Sequence, residues 1–135
     1  MIQSAHYKLY KEVNMDILAK VDRLAARMHD HPQYRSQGAV LFIDLQQRTF
    51  FSSYLSREVI HTVLTNRGAN MYLLYNLLLD GREPLDPEIP LIFGSGALTG
   101  TVPTATRGNV TSISPESYAL LDSNCGDGFP TFLKF

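Results

Sequence analysis

At 135 residues, with 44% hydrophobic and 19% charged side chains, the chain has the composition of a single globular domain, not of a disordered or fibrous segment. A net charge of −1 and a pI near 6.4 offer no field to attract nucleic acid or an anionic membrane, so any anion binding must be local. No run approaches the roughly 18 apolar residues of a membrane span, the N-terminus lacks the apolar core of a signal peptide, and one cysteine fits a reducing compartment, so a cytoplasmic location is expected.

In chain order, residues 15–30 place Ile17, Leu18, Val21, Leu24, Ala25 and Met28 on one face at helical spacing. Asn14 is a candidate N-cap, and Pro32 lies beyond the end. The polar face mixes acids and bases, which favours packing on the domain over binding to a membrane surface. His29 and His31 flank Asp30 as a helix-ending solvated loop, without the spacing of a closed metal site. Gly38 to Leu45, followed by Gln46-Gln47 and Arg48 to Phe51, reads as a β-hairpin. Ser56 caps a predicted helix with apolar positions at 59, 60, 63 and 64. Gly68 is expected to reverse the chain before a second helix, Met71 to Leu79, which ends at Asp80-Gly81. That helix is apolar nearly all round, so it should be buried. Pro84, Pro87 and Pro90 stiffen an acidic connector into a short strand at Leu91-Ile92-Phe93, and residues 108–114 read as a further strand. Asp122 to Gly128 reads as a loop, and Gly128-Phe129-Pro130 as the opening of a short helix.

The chemistry concentrates between Gly94 and Gly128. This stretch carries six of the nine glycines, many hydroxyls and only four charged residues, Arg107, Glu116, Asp122 and Asp127. Glycines that admit backbone N–H groups to phosphate oxygens, with one arginine as a planar cationic fork, describe a polyanion cradle. A turn-rich loop between strands has the same composition. A dinucleotide-binding turn is excluded, since the spacing is G-x-G-x-x-x-G and Thr-Val-Pro-Thr follows instead of a helix; no Gly-Lys-Ser/Thr of a P-loop is present.

Ile89 to Phe93, Gly96, Leu98-Thr99-Gly100-Thr101, Arg107-Gly108, Val110, Ser114-Pro115, Asp122-Ser123-Asn124, Gly126 and Leu133-Lys134-Phe135 occur in an order that resembles the N-terminal domain of the tungsten-containing aldehyde ferredoxin oxidoreductases. The resemblance begins at about Gly38. It divides the chain into an N-terminal helical extension, 1–37, and a partial tungstopterin-platform domain, 38–135. Ala97 stands where proline is usual, and Cys125 and Asp127 interrupt a small-residue run.

The resemblance implies an α+β fold, an antiparallel sheet with short helices plus the N-terminal amphipathic helix. One sheet is expected to link residues 39–45 to 108–114. The resemblance also implies a tungsten bis-pterin (molybdopterin-type) cofactor with a magnesium ion and a 4Fe-4S iron–sulfur cluster in the full-length family, none of it expected to be retained by this chain alone. By motif, Arg107, Asn124 and Gly126 fall on cofactor-contacting positions, with Asn124 as an oxygen ligand to magnesium. Arg67, in the matching R-G pair, is either a further contact or a loop residue covering a helix end. Arg107 and Asn124 are expected to border one cradle. Cys125 reads as a small loop residue, since no paired base is visible in sequence. Implied partners are the remaining domains or a complementary subunit, and a ferredoxin-type electron carrier. The apolar end Phe129 to Phe135 suggests a chain cut within a domain, leaving an open apolar face capable of self-association. Two functions follow: the platform segment of an aldehyde-oxidising enzyme, inactive alone, or a non-catalytic anion-binding or interaction module.

Overall fold

The computed structural model describes residues 17–34, 37–78 and 81–135. Helix α1 (Ile17–Ala25) realises the amphipathic pattern among the described residues and ends at Ala25, short of the expected residue 30. It stops because Arg27 and Met28 bond three residues back, to Leu24 and Ala25, which tightens the last turn. Asn14, its candidate N-cap, lies outside the described residues. The apolar face packs inward, with Leu24 buried in one core with Leu55, Ile60, Leu73 and Leu77. The chain then adds its next residues to a hairpin, as His29 and Tyr54 exchange backbone bonds of 2.8 and 2.9 Å. His31 Nδ1 lies 2.6 Å from the exposed Asp30 carboxylate, and that hydrogen bond holds the carboxyl below its usual range. Among the described residues, no group of three or more His, Cys, Asp or Glu is placed to hold a metal.

The hairpin is β1 (Ala39–Asp44) paired antiparallel with β2 (Thr49–Tyr54). Phe42 opposes Phe51 with the rings stacked at 4.8 Å, and the Asp44 carboxylate accepts from the Gln46 and Gln47 N–H groups to close the turn. Helix α2 (Arg57–Val63) begins as its sequence predicts, with the Ser56 hydroxyl accepting from Val59 N–H.

The second predicted helix starts four residues earlier than expected, as α3 (Arg67–Leu77). Gly68 therefore does not reverse the chain. It lies in the first turn of α3, where a Cβ would meet the Val63 carbonyl oxygen at 1.8 Å, so it permits the close approach of α2 to α3. The reversal falls on Leu64 and Asn66, non-glycine residues at φ 61° and 58°. Leu79 and Asp80, the expected end of the helix, lie outside the described residues.

Helix α3 explains why the expected single sheet does not form. Strands β3 (Ile92–Ser95), β4 (Gly108–Ile113) and β5 (Leu120–Cys125) make a separate antiparallel sheet in the order β3-β4-β5, and the hairpin stands apart as a two-stranded one. Apolar on several sides, α3 sends Leu73 and Leu77 into the core with α1 and α2 and turns Asn70 toward β3 and β4. A helix with two packed faces separates the sheets. Asp122 to Cys125, expected as loop, belongs to β5, because β4 supplies it with cross-strand partners, Asn109 opposite Asn124 and Thr111 opposite Asp122. The α+β class holds, with four helices and two small antiparallel sheets among the described residues.

Helix α4 (Gly128–Lys134) covers the other face of the three-stranded sheet. Phe93 meets Phe129 edge-on at 5.9 Å, and the Ser95 hydroxyl donates to the Pro130 carbonyl at 2.8 Å. Between α3 and the sheet lies a polar network instead of an apolar seam. Asn70, Asn109 and Thr111 are 3%, 1% and 0% exposed. The Asn70 amide reaches Asn109 O at 3.1 Å and Thr111 Oγ1 at 3.3 Å, and Thr111 Oγ1 donates to Asn109 Oδ1 at 2.6 Å. Asn109 Nδ2 donates to Asp122. Gly94 makes this possible, since a Cβ there would lie 2.4 Å from Asn70 Oδ1.

Among the described residues, no helix is long and apolar enough to cross a membrane. Apolar side chains nevertheless stand exposed, as Leu41, Ile43 and Phe50 on the hairpin, Tyr75 on α3, and Phe132 and Phe135 at the C-terminal end.

Asn70→Ala should cost about 1–3 kcal/mol in urea unfolding, because it leaves buried acceptors unpaired. Gly94→Ala should also destabilise, but the double variant should be less unstable than the sum of the two, since removing Asn70 removes the clash. Additive losses would show that Gly94 and Asn70 do not meet. The exposed apolar residues predict hydrophobic-dye binding by a monomer, or a self-associated species that binds little dye; a dye-silent monomer in solution-mass measurements would contradict both.

Candidate functional site

The loop after β3 is built around Thr99, which is buried. Its hydroxyl accepts from Gly96 N–H at 3.0 Å and donates to the Arg107 carbonyl at 2.9 Å, drawing the two ends of the loop together. Thr65 Oγ1, from the α2–α3 connection, accepts from Ala97 N–H at 2.9 Å. Lys134, in the last turn of α4, donates to the carbonyls of Ala97 and Thr99 at 2.6 and 3.0 Å. Gly100, at φ 72°, directs its N–H to Ala105 O at 2.7 Å.

These bonds change the chemistry expected of the loop. The N–H groups of Gly96, Ala97, Thr99, Gly100 and Thr101 all donate within the protein. A backbone anion nest needs unengaged N–H groups converging on one point. Here those five are committed elsewhere, so recognition of an anion falls mainly to side chains.

The loop forms one wall of a cleft of about 400 Å³. Gly96 to Thr99, Ala105 and Arg107 line that wall; Ile60, Leu64, Thr65 and Asn66 line the other, with Gln37. The lining is mainly apolar. Arg107 is exposed, and among the described residues its guanidinium has no ion pair or hydrogen bond, although its carbonyl is held by Thr99. On the facing wall Asn66 Oδ1 is buried without a hydrogen-bond partner. A ligand that brings both an anionic group and N–H donors matches this set.

The other expected site residues lie close by but outside the cleft lining. Arg67 Nε is 2.6 Å from Asp122 Oδ2, with side-chain exposures of 62% and 17%, so Asp122 serves as a structural acceptor. Arg67 stands in the first turn of α3, not in a loop, and ties that turn to β5. Asn124 is exposed on the edge strand β5, directly opposite Asn109 and therefore on the α3 face of the sheet. Arg107 lies two residues before Asn109, at the same end. Gly126 is exposed beyond β5, where a Cβ would come within 4.0 Å of Thr106 Oγ1. The Cys125 thiol is free and half-buried.

Asn66 and Thr65 were not legible as site residues. No spacing marks them, and the one available signal was the position of Asn66 directly before Arg67-Gly68. Thr99 and Lys134 did fall within the resembling motifs, but their work is to hold the loop.

Fold and cleft together define an α+β domain with a small-molecule-sized site between a helix connection and a glycine-rich loop. The family model described as the aldehyde ferredoxin oxidoreductase N-terminal domain matches residues 40–135, and the chain belongs to that family. It is 34% identical over 103 residues to the tungsten-containing aldehyde ferredoxin oxidoreductase of Thermococcus kodakarensis, and 33% identical over 103 residues to the one from Pyrococcus furiosus. Each alignment covers 76% of this chain and 17% of the relative, so the chain matches a small part of those proteins' length. No solved structure matches it.

Thr99→Val deletes both bonds of the Thr99 hydroxyl and should cost about 1–3 kcal/mol. The Gly96 amide should then exchange its hydrogen faster than in the wild type. Unchanged exchange would mean that Thr99 does not hold the loop.

Proposed function

We propose that this chain is the cofactor-platform segment of a tungstopterin-dependent oxidoreductase that converts aldehydes to carboxylic acids and passes the electrons to a ferredoxin-type carrier. It acts with the remaining domains of such an enzyme, or with a complementary subunit, and in this reading is inactive alone. The supporting observation is the unpaired Arg107 guanidinium at the rim of an apolar cleft, within a chain that belongs to this family. Residues 38–135 are the platform and 1–37 an extension, whose helix α1 packs on the platform through Leu24.

The residues present fit the phosphate-bearing pterin of such a cofactor. Arg107 offers a bidentate fork to a phosphate or pterin oxygen. Asn124, on the exposed edge of β5, offers a hard oxygen ligand of the kind magnesium takes, and Gly126 leaves room for close approach beside it. Arg67, oriented by Asp122, adds positive charge at the start of α3. The tungsten–pterin group would supply the two-electron redox chemistry; this chain positions it and neutralises its charge. The sole cysteine cannot hold an iron–sulfur cluster, so cluster ligands belong to the other domains.

Combined with a polypeptide carrying the remaining domains of a family enzyme, the chain should assemble into a tungsten- and pterin-containing protein. Arg107→Ala should weaken pterin retention by about 10- to 100-fold, the loss of a charge-assisted contact of about 1.5–3 kcal/mol. Asn124→Leu should act in the same direction. Metal analysis and the fluorescence of released pterin measure both. Full occupancy in both variants would overturn the site assignment, and an assembly without tungsten would favour the non-catalytic module.

A further inference from the structure

Asn66 combines two unfavourable features at one point of the cleft. Its backbone sits at φ 58° and ψ −121°, a region that glycine adopts freely and residues with a Cβ adopt at a cost. Its Oδ1 is buried with no donor. The side-chain amide contributes nothing to the helix it precedes, since it makes no capping bond to α3. The amide instead faces the glycine-rich wall, where a Cβ on Gly96 would lie 3.8 Å from Asn66 Nδ2. Glycine at 96 keeps that space open. Glycine at position 66 would remove both penalties, so the asparagine is explained by what its amide meets in the cleft.

We infer that Asn66 is a ligand-recognition residue: its Oδ1 accepts a hydrogen bond from an N–H on the edge of a flat heterocycle whose anionic group is held by Arg107. The terminal torsion of an asparagine is broad and roughly two-fold, so turning the amide over exchanges Nδ2 for Oδ1 at the cleft wall. Ile60, Leu64 and Leu98 supply apolar surface for the ring. The division of labour is specific. Arg107 senses charge and is indifferent to the ring, whereas Asn66 senses an N–H edge that a bare anion lacks. The inference rests on the cleft being the ligand site, as proposed above, and adds a residue outside the family-derived set.

The test titrates the full chain with two probes, a pterin bearing a phosphate monoester and inorganic phosphate, following the backbone amide signals of Gly96 and Arg107 by NMR. The expected result for Asn66→Gly is about tenfold weaker binding of the phosphorylated pterin, unchanged binding of phosphate, and a melting temperature equal to or above wild type. Asn66→Asp keeps an acceptor, so the ratio of the two affinities should stay near the wild-type ratio even where the added charge weakens both. Arg107→Ala should weaken both probes. If Asn66→Gly binds both probes as wild type does, or loses both equally, the assignment of Asn66 is overturned while the cleft stands. Binding to the uncovered cleft is expected to be weak, so the titration runs to millimolar probe; if the wild-type chain binds neither probe even there, the cleft reading is overturned and this inference with it.

Discussion

The insertion of Asn70 from α3 into the sheet is the constraint on which the rest of the structure depends. A helix normally meets a sheet through apolar side chains, whose attraction is indifferent to small slides. Asn70 is not indifferent. Its amide must find Asn109 O and Thr111 Oγ1, and it fits only where Gly94 leaves a gap. An unmet donor in that buried position costs far more than a displaced methyl group, so the network fixes the register of α3 over β3 and β4.

That register determines where the cleft walls fall. One turn before Asn70, Arg67 meets Asp122 on β5, which extends the network to the edge of the sheet. Just before Arg67, the α2–α3 connection must reverse without a glycine, and Leu64 and Asn66 absorb the positive φ. The opposite wall is held from three directions: Thr65 bonds Ala97, Lys134 bonds the carbonyls of Ala97 and Thr99, and Thr99 bonds Arg107. The position of Arg107 is thus set by α4, by the α2–α3 connection and by β4 together. Its guanidinium alone is left uncommitted.

Composition and turn chemistry made the elements legible: Ser56 gave the start of α2, two apolar runs about Gln46-Gln47 gave β1 and β2, and Pro130 marked the first turn of α4. What escaped was everything decided by partners distant in sequence. Asp122-Ser123-Asn124 has a loop's composition and becomes strand only because Asn109 and Thr111 lie opposite. Gly68 looks like a hinge and is a spacer, because Val63 approaches it. The glycine-rich loop looks like a backbone anion cradle, but five of its N–H groups are occupied within the protein, one of them by Thr65, 32 positions away. At the site, motif resemblance located Arg107, whereas Asn66 became visible only through a backbone angle and an unpaired oxygen.

A single exposed guanidinium on an open cleft is a weak anion site. In water, opposite charges at contact gain only about 1 kcal/mol, but near a protein surface with an effective dielectric constant of about 20 the gain approaches 4 kcal/mol. Because five of the loop's N–H groups hold its own fold, few donors are left with which to compensate. Affinity must therefore come from covering the cleft. In the proposed enzyme the remaining domains would exclude water over Arg107, strengthening a contact whose geometry this chain already fixes. The exposed apolar side chains are consistent with that division: a surface that welcomes a covering partner lets cofactor retention and domain docking reinforce each other, since each favours the state in which the other is strongest.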